Sequence, residues 1–132
     1  MIPDTNVLVR AFVGDDQDQA EAARTSLLDA DHIYISTVTL CEFVWAVRQV
    51  YHRTRAEIAE AIRQLIADQR VVIDRAVVDA GLAFMDAGGD FADGVIEFEG
   101  RRLGGLFFVT FDKQASTVIR SQGRKSILLG TG

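Results

Sequence analysis

The stretch LFFVTFD, residues 106–112, decides the fold class. All but one of the six residues before the aspartate are apolar, and such a run is typical of a strand with both faces covered in a parallel sheet. Asp112 follows where the strand ends. The stretch therefore predicts a sheet core with a carboxylate at its edge.

Further short strands are predicted on both sides of this stretch. Ile2 fits a minimal first strand, and the β-branched or aromatic runs HIYIS, VVID and SILL fit three more. Helices are predicted between the strands from apolar residues at helical spacing, and two successive helices follow HIYIS. Ser36 or Thr37 begins the first of these, and the second opens with a capping box from Thr54 to Glu57.

The alternation of strands and helices indicates an α/β fold. Parallel neighbouring strands need crossover connections, and the helices supply them. We therefore expect a three-layer α/β/α arrangement around a central, mainly parallel sheet of about four to five strands. The length of 132 residues and the lone proline, Pro3, favour one domain spanning residues 1–132.

Composition limits the classes of function. A net charge of −5 argues against a protein that coats nucleic acid through a basic face. With one cysteine and two histidines, a zinc site is improbable, so an expected metal is a hard cation held by oxygen. No apolar segment resembles a signal peptide or a membrane span, and we expect a soluble protein of the reducing cytoplasm.

Acidic residues follow three of the predicted strands. Asp4 comes after Ile2, Glu42 after HIYIS, and Asp112 after LFFVTF. Ligands of open parallel sheets bind at the carboxyl ends of the strands, so these carboxylates are expected to converge. Like charges that converge repel one another unless a cation lies between them, and Mg²⁺ or Mn²⁺ suits oxygen ligands.

The segment GGDFADGVIEFEG adds a second source of carboxylates. Asp90, Asp93 and Glu97 recur at i, i+3 and i+7 of a helix predicted from Asp90 to about Arg102. Each acidic residue also has a purely structural interpretation. Asp4, Asp90 and Asp112 can be helix N-caps, Glu42 can complement a helix dipole, and Asp93 and Glu97 can form a solvated face. Trp45, Phe107 and Phe108 are interpreted as core or interface residues, with base stacking as the alternative.

Four motifs together resemble the PIN-domain ribonucleases, and specifically the VapC toxins of bacterial VapBC toxin-antitoxin pairs. They are DTNVLVR near the start, ISTVTLCEFVWAVRQVYHRTRAEI in the middle, and DFADGVI and FVTFDKQA near the end. Each motif is short, but their order and separations make the match specific over nearly the whole chain.

The resemblance implies a PIN fold that binds Mg²⁺ or Mn²⁺ and cleaves single-stranded RNA by metal-activated water. Its implied partners are RNA, a cognate VapB-like antitoxin and a second copy of the chain, with the helices around Trp45 and Ile58 as candidate dimer contacts. Motif by motif, the catalytic and metal-binding set is Asp4, Glu42, Asp93 and Asp112, supported by Asp90, Thr5, Asn6 and Thr110.

The chain departs from the family pattern at two places. Only Met1, Ile2 and Pro3 precede Asp4, where the family has a longer apolar strand. Gly94 replaces the more usual alanine after Asp93, which predicts a helix weaker by about 1 kcal/mol at this turn.

The leading hypothesis is a Mg²⁺- or Mn²⁺-dependent endoribonuclease toxin. One alternative is a phosphoacceptor signalling domain, which has similar size and aspartates at strand ends. Two successive helices between the second and third strands argue against it, as does Lys113 directly after the last aspartate. A catalytically silent PIN-fold binding module is the other alternative.

Overall fold

The computed structural model describes residues 1–130, which hold seven helices and four strands. The chain divides into two compact units. The N-terminal unit is Met1–Arg75, and the C-terminal unit begins at Ala76. Each unit contains one pair of parallel strands joined by helical crossovers, so the α/β class is confirmed.

The N-terminal unit begins with two helices where the sequence predicted a strand and one helix. Gly14, at φ 70°, ends the first helix in a left-handed conformation, and the side chain of Asp16 accepts a hydrogen bond from Gln19 N to start the second. A glycine followed by a capping aspartate was the sequence signal for this break. The elements of this unit are α1 (Thr5–Val13), α2 (Gln17–Asp29), β1 (Ile33–Tyr34), α3 (Thr37–Gln49), α4 (Arg55–Ala67) and β2 (Val71–Val72).

The predicted strand at Ile2 is absent from the described residues. Met1 alone runs beside β1, since its amino group donates to His32 O at 2.7 Å and its carbonyl accepts from Tyr34 N at 2.9 Å. Pro3 has no N–H to donate, which stops the pairing after one residue. Ile2 is left largely exposed.

The strand pair of this unit has the predicted connection. β1 and β2 are parallel, with Ile33 opposite Val71, and α3 and α4 lie between them in the chain. Ser36 caps α3, and the Thr54–Glu57 capping box starts α4. Fully buried side chains include Leu40, Val47, Ile58 and Ile62. Ile58 is thus a core residue, and a dimer contact by the helix around it stays a prediction that would use other side chains of α4.

The C-terminal unit packs its second strand pair against the last helix. β3 and β4 are parallel, with Val109 opposite Ile127. Phe84, Ala115, Val118 and Ile119 form a buried cluster against which Phe108 packs. The elements are α5 (Arg75–Asp86, which begins at the unit boundary), α6 (Phe91–Arg102), β3 (Phe108–Thr110), α7 (Lys113–Ser121) and β4 (Ser126–Leu128).

The strands of residues 1–130 form two pairs, so the predicted central sheet of four to five strands is not confirmed. The interpretation of LFFVTF as a strand covered on both faces is also wrong. Phe108 is partly buried, but Phe107, Val109 and Phe111 are exposed. An apolar run alone does not distinguish a fully covered strand from one with an open face.

Two glycines bring α5 and α6 into backbone contact. A Cβ built on Gly94 would lie 2.6 Å from Phe84 Cβ and 3.1 Å from Gly81 Cα. A Cβ on Gly81 would likewise meet the ring of Phe91 at 2.5 Å. Gly94 therefore sets the helix spacing at the position after Asp93, and the expectation of a merely looser turn missed this role.

Candidate metal centre

Three aspartates of the C-terminal unit lie together at the starts of two helices. Asp90, Asp93 and Asp112 each offer a carboxylate oxygen, and these three oxygens all lie within 4.8 Å of one another. Among the acidic, histidine and cysteine side chains of residues 1–130, these three lie close enough together to share a metal ion. The structure thus brings together three of the predicted site residues.

Asp90 and Asp93 reach this cluster from the turn between α5 and α6. Gly88, at φ +97°, makes a turn that favours glycine, and Asp90 occupies the N-cap position of α6. Its side chain makes no capping hydrogen bond, so the capping interpretation of Asp90 holds for its position but not for its carboxylate. Asp93 lies in the first turn of the same helix.

Asp112 arrives from the end of β3, as the sequence predicted. Its Oδ1 accepts hydrogen bonds from Gln114 N at 2.8 Å and Ala115 N at 3.1 Å, so it caps α7 as well. Thr110 Oγ1 accepts from Asp112 N at 3.0 Å and holds the backbone of the strand end. The capping and ligand interpretations are compatible, because capping fixes the orientation of this carboxylate.

Gln114 makes a contact near the cluster that the sequence reasoning missed. Its Nε2 donates to Gly88 O at 3.4 Å, which links the start of α7 to the turn before Asp90. A long amide side chain two residues after a strand-end aspartate is a weak signal, since its partner lies 26 residues away in the chain.

The electrostatics of the cluster favour a bound cation. Asp93 is half-buried, and burial, followed by the charges of Asp90 and Asp112, raises the pKa of its carboxyl above the ordinary value of 3.8. Carboxylates are the ligands of hard divalent cations, and neither histidine nor cysteine belongs to the cluster. The donor set therefore fits Mg²⁺ or Mn²⁺.

Glu97 does not extend the cluster, contrary to the expectation from its i+7 spacing. Its side chain is 6% exposed and forms ion pairs with Arg101 Nε at 2.7 Å and Arg124 Nε at 2.9 Å. The solvated-face interpretation of Glu97 is wrong as well. The partner Arg124 follows α7, so the sequence spacing along α6 could not reveal it.

The other predicted site residues lie in the N-terminal unit. Asp4 caps α1, its Oδ1 accepting from Val7 N at 3.1 Å. Thr5 Oγ1 donates to Glu42 Oε2 at 3.3 Å, so the first turn of α1 holds the glutamate of α3. Asn6 is exposed beside them.

Two depressions flank Asn6 on this unit. One, of about 480 Å³, is lined in part by Asp4, Asn6, Arg10 and Gln19. The second, of about 440 Å³, is lined by Thr5, Asn6, Cys41, Glu42, Trp45 and Ala46. Arg10 and Gln19 are lining residues that sequence reasoning did not single out.

Comparison with known protein families agrees with this chemistry. The family model of the PIN domain matches residues 1–120. PIN domains are generally nucleases that act on RNA, and they usually use divalent metals. No curated protein matches the chain. Within the described residues, no helix is both long and apolar enough to cross a membrane.

Proposed function

Since the chain belongs to the PIN-domain family, we propose that it is a Mg²⁺- or Mn²⁺-dependent endoribonuclease and the VapC-type toxin of a type II toxin-antitoxin module. The observation that carries the proposal is the grouping of Asp90, Asp93 and Asp112. The raised pKa of Asp93 agrees with this grouping.

Asp93, Asp112 and Asp90 would hold the cation in this proposal. Asp4 and Glu42 are assigned to the same reaction from their motifs, and the family match includes them because it runs from residue 1 to residue 120. This assignment treats residues 1–132 as one functional domain. Thr5 supports Glu42 through its hydrogen bond, and Asn6 is assigned a supporting role beside them.

The proposed chemistry is hydrolysis of an RNA phosphodiester, in which the carboxylates hold the cation. A bound divalent cation supplies positive charge to a phosphodiester and lowers the pKa of a water molecule. Asp93 must be ionised to serve as a ligand, so a proton on its carboxyl competes with the cation for this site. The two backbone N–H groups on Asp112 Oδ1 hold that carboxylate ready, which lowers the cost of ordering it.

The test is metal-dependent cleavage of an RNA pool, with the ends of the products mapped. We expect cleavage with Mg²⁺ or Mn²⁺, none with a chelator, and a loss of more than about 100-fold in Asp93→Asn and Asp4→Asn. Glu99→Gln is the matched control, because Glu99 is an exposed acid on α6 outside the cluster. Full activity in Asp93→Asn would contradict the assignment.

The same experiment addresses the silent binding module. A wild-type protein that binds RNA but cleaves none of it with either metal would be such a module. The phosphoacceptor alternative is tested separately, by incubation with a small phosphodonor and intact mass measurement. We expect no added phosphoryl group, since the two successive helices between β1 and β2 are not the strict alternation of that class.

The toxin role is tested in cells. Induced expression of the protein in the cytoplasm should arrest cell growth. Co-expression of a small neighbouring gene that encodes an antitoxin should relieve the arrest. The net charge of −5 suits an antitoxin segment that places Arg or Lys against the carboxylates. A homodimer is part of the proposal, and sedimentation velocity of the purified chain measures it.

A further inference from the structure

Trp45 is exposed, although the sequence analysis interpreted it as a core or interface residue. Its side chain is 63% exposed, whereas Leu40, Val44 and Val47 of the same helix are buried. Trp45 does not belong to the buried stripe of α3, because it follows Glu42 by three residues on the face that carries the glutamate. Among residues 1–130, its indole pairs with no other aromatic ring.

The indole borders the depression of about 440 Å³ described above. That volume lies within the range of small-ligand sites, roughly 300–1,000 Å³. Trp45 supplies an aromatic wall, Asn6 supplies an amide that both donates and accepts, and Glu42 lies one turn before the indole. An aromatic face with an adjacent amide is the combination that binds an unstacked nucleobase.

The polar lining favours RNA over a protein partner. The centre of a protein interface is depleted in charged residues, yet the charged Glu42, with the polar Thr5 and Asn6, shares this depression with the indole. Single-stranded RNA offers bases that stack on exposed aromatic side chains. We infer that Trp45 is a stacking platform for a base of single-stranded RNA beside Glu42. The inference rests on the proposed ribonuclease function.

Trp45 is the only tryptophan of the chain, so its fluorescence reports on this site alone. The full chain carrying Asp93→Asn, which blocks cleavage, is titrated with single-stranded oligoadenylate and oligouridylate. We expect saturable quenching of the emission by both, with tighter binding of oligoadenylate because purines stack more strongly.

Variants of Trp45 measure the contribution of stacking. The affinity for a labelled oligoadenylate, followed by anisotropy, should fall about 5- to 150-fold in Trp45→Leu. Trp45→Phe keeps an aromatic face and should recover most of the loss, which a general effect on folding would not produce. Unchanged affinity in Trp45→Leu, or no quenching in the parent protein, overturns the inference.

Val38→Ala separates RNA from a protein partner. Val38 is 67% exposed, lies two turns before Trp45 on the same face of α3, and does not line the depression. RNA binding should be unchanged in this variant. If Trp45→Leu and Val38→Ala weaken self-association equally while RNA leaves the emission unchanged, the face is a protein interface and the inference fails.

The stacking and the nuclease proposals fail in different ways. If Trp45→Leu shows metal-dependent cleavage with an unchanged KM, the nuclease proposal stands and the stacking proposal fails. If RNA quenches the Trp45 emission but wild type cleaves no RNA with Mg²⁺ or Mn²⁺, the stacking proposal stands and the nuclease proposal fails.

Discussion

Two successive turns of α6 hold acidic residues in opposite charge environments. Asp93, in the first turn, is surrounded by carboxylates, whereas Glu97, one turn later, is held between Arg101 and Arg124. Both side chains are at least partly buried, so burial alone does not distinguish them. What distinguishes them is the sign of the neighbouring charges. A carboxylate already paired with two arginines has a structural role, and one packed among carboxylates is a candidate ligand for a cation.

Loss of the Glu97 charge should give the largest change in stability. Glu97→Gln leaves the two guanidinium groups without their anionic partner, and we expect the free energy of unfolding to fall by about 1–3 kcal/mol. RNA cleavage by the remaining folded protein should persist. Urea denaturation measures the change, with Glu99→Gln as the control. A stable but inactive Glu97→Gln protein would reverse the assigned roles.

The glycine after Asp93 provides a second comparison within α6. Gly94→Ala forces a Cβ against Phe84, and such overpacking costs about 1–3 kcal/mol, which exceeds the helix gain of up to about 1 kcal/mol. Gly100→Ala meets no atom within 4 Å, so it should stabilise the helix by up to about 1 kcal/mol. Thermal unfolding of the two variants should shift in opposite directions, and equal shifts would show that helix spacing is not fixed at Gly94.

The pH dependence of stability should be the smallest effect. The pKa of Asp93 is higher in the folded protein than in the unfolded chain, so the folded state holds this proton more tightly. In metal-free protein the contribution of Asp93 to stability therefore falls as pH rises from about 4 through the raised pKa. Asp93→Asn removes that contribution, and its melting temperature relative to wild type should rise with pH. A difference that is constant between pH 4 and 7 would contradict the raised pKa.

The sequence predicted elements better than it predicted their surroundings. Local signals, such as the Thr54–Glu57 capping box and the glycines before Asp90, gave the correct helix starts. The short Ile2 strand failed because pairing depends on a partner distant in the chain and on the missing N–H of Pro3. The burial of Phe107 and Val109 failed because an apolar run does not say whether a second layer covers it.

The same limit applies to the candidate site. Motif spacing predicted the grouping of Asp90, Asp93 and Asp112, since each lies at the start or in the first turn of a helix. Spacing also placed Glu97 with them, and this was wrong. The periodicity of a helix contains no information about Arg124, which lies outside α6 and pairs with Glu97. Trp45 was interpreted as a core or interface residue because it is aromatic, although its position relative to Leu40 and Val44 already placed it off the buried stripe.

Mn²⁺ binding measured by isothermal titration calorimetry tests the central claim most directly, since it requires no knowledge of the RNA. Wild type and Glu97→Gln should bind Mn²⁺ with similar affinity, and Asp93→Asn should bind it at least about 10-fold more weakly. Equal binding by wild type and Asp93→Asn, or a loss of binding confined to Glu97→Gln, would contradict the assignment of the aspartate cluster as the metal centre.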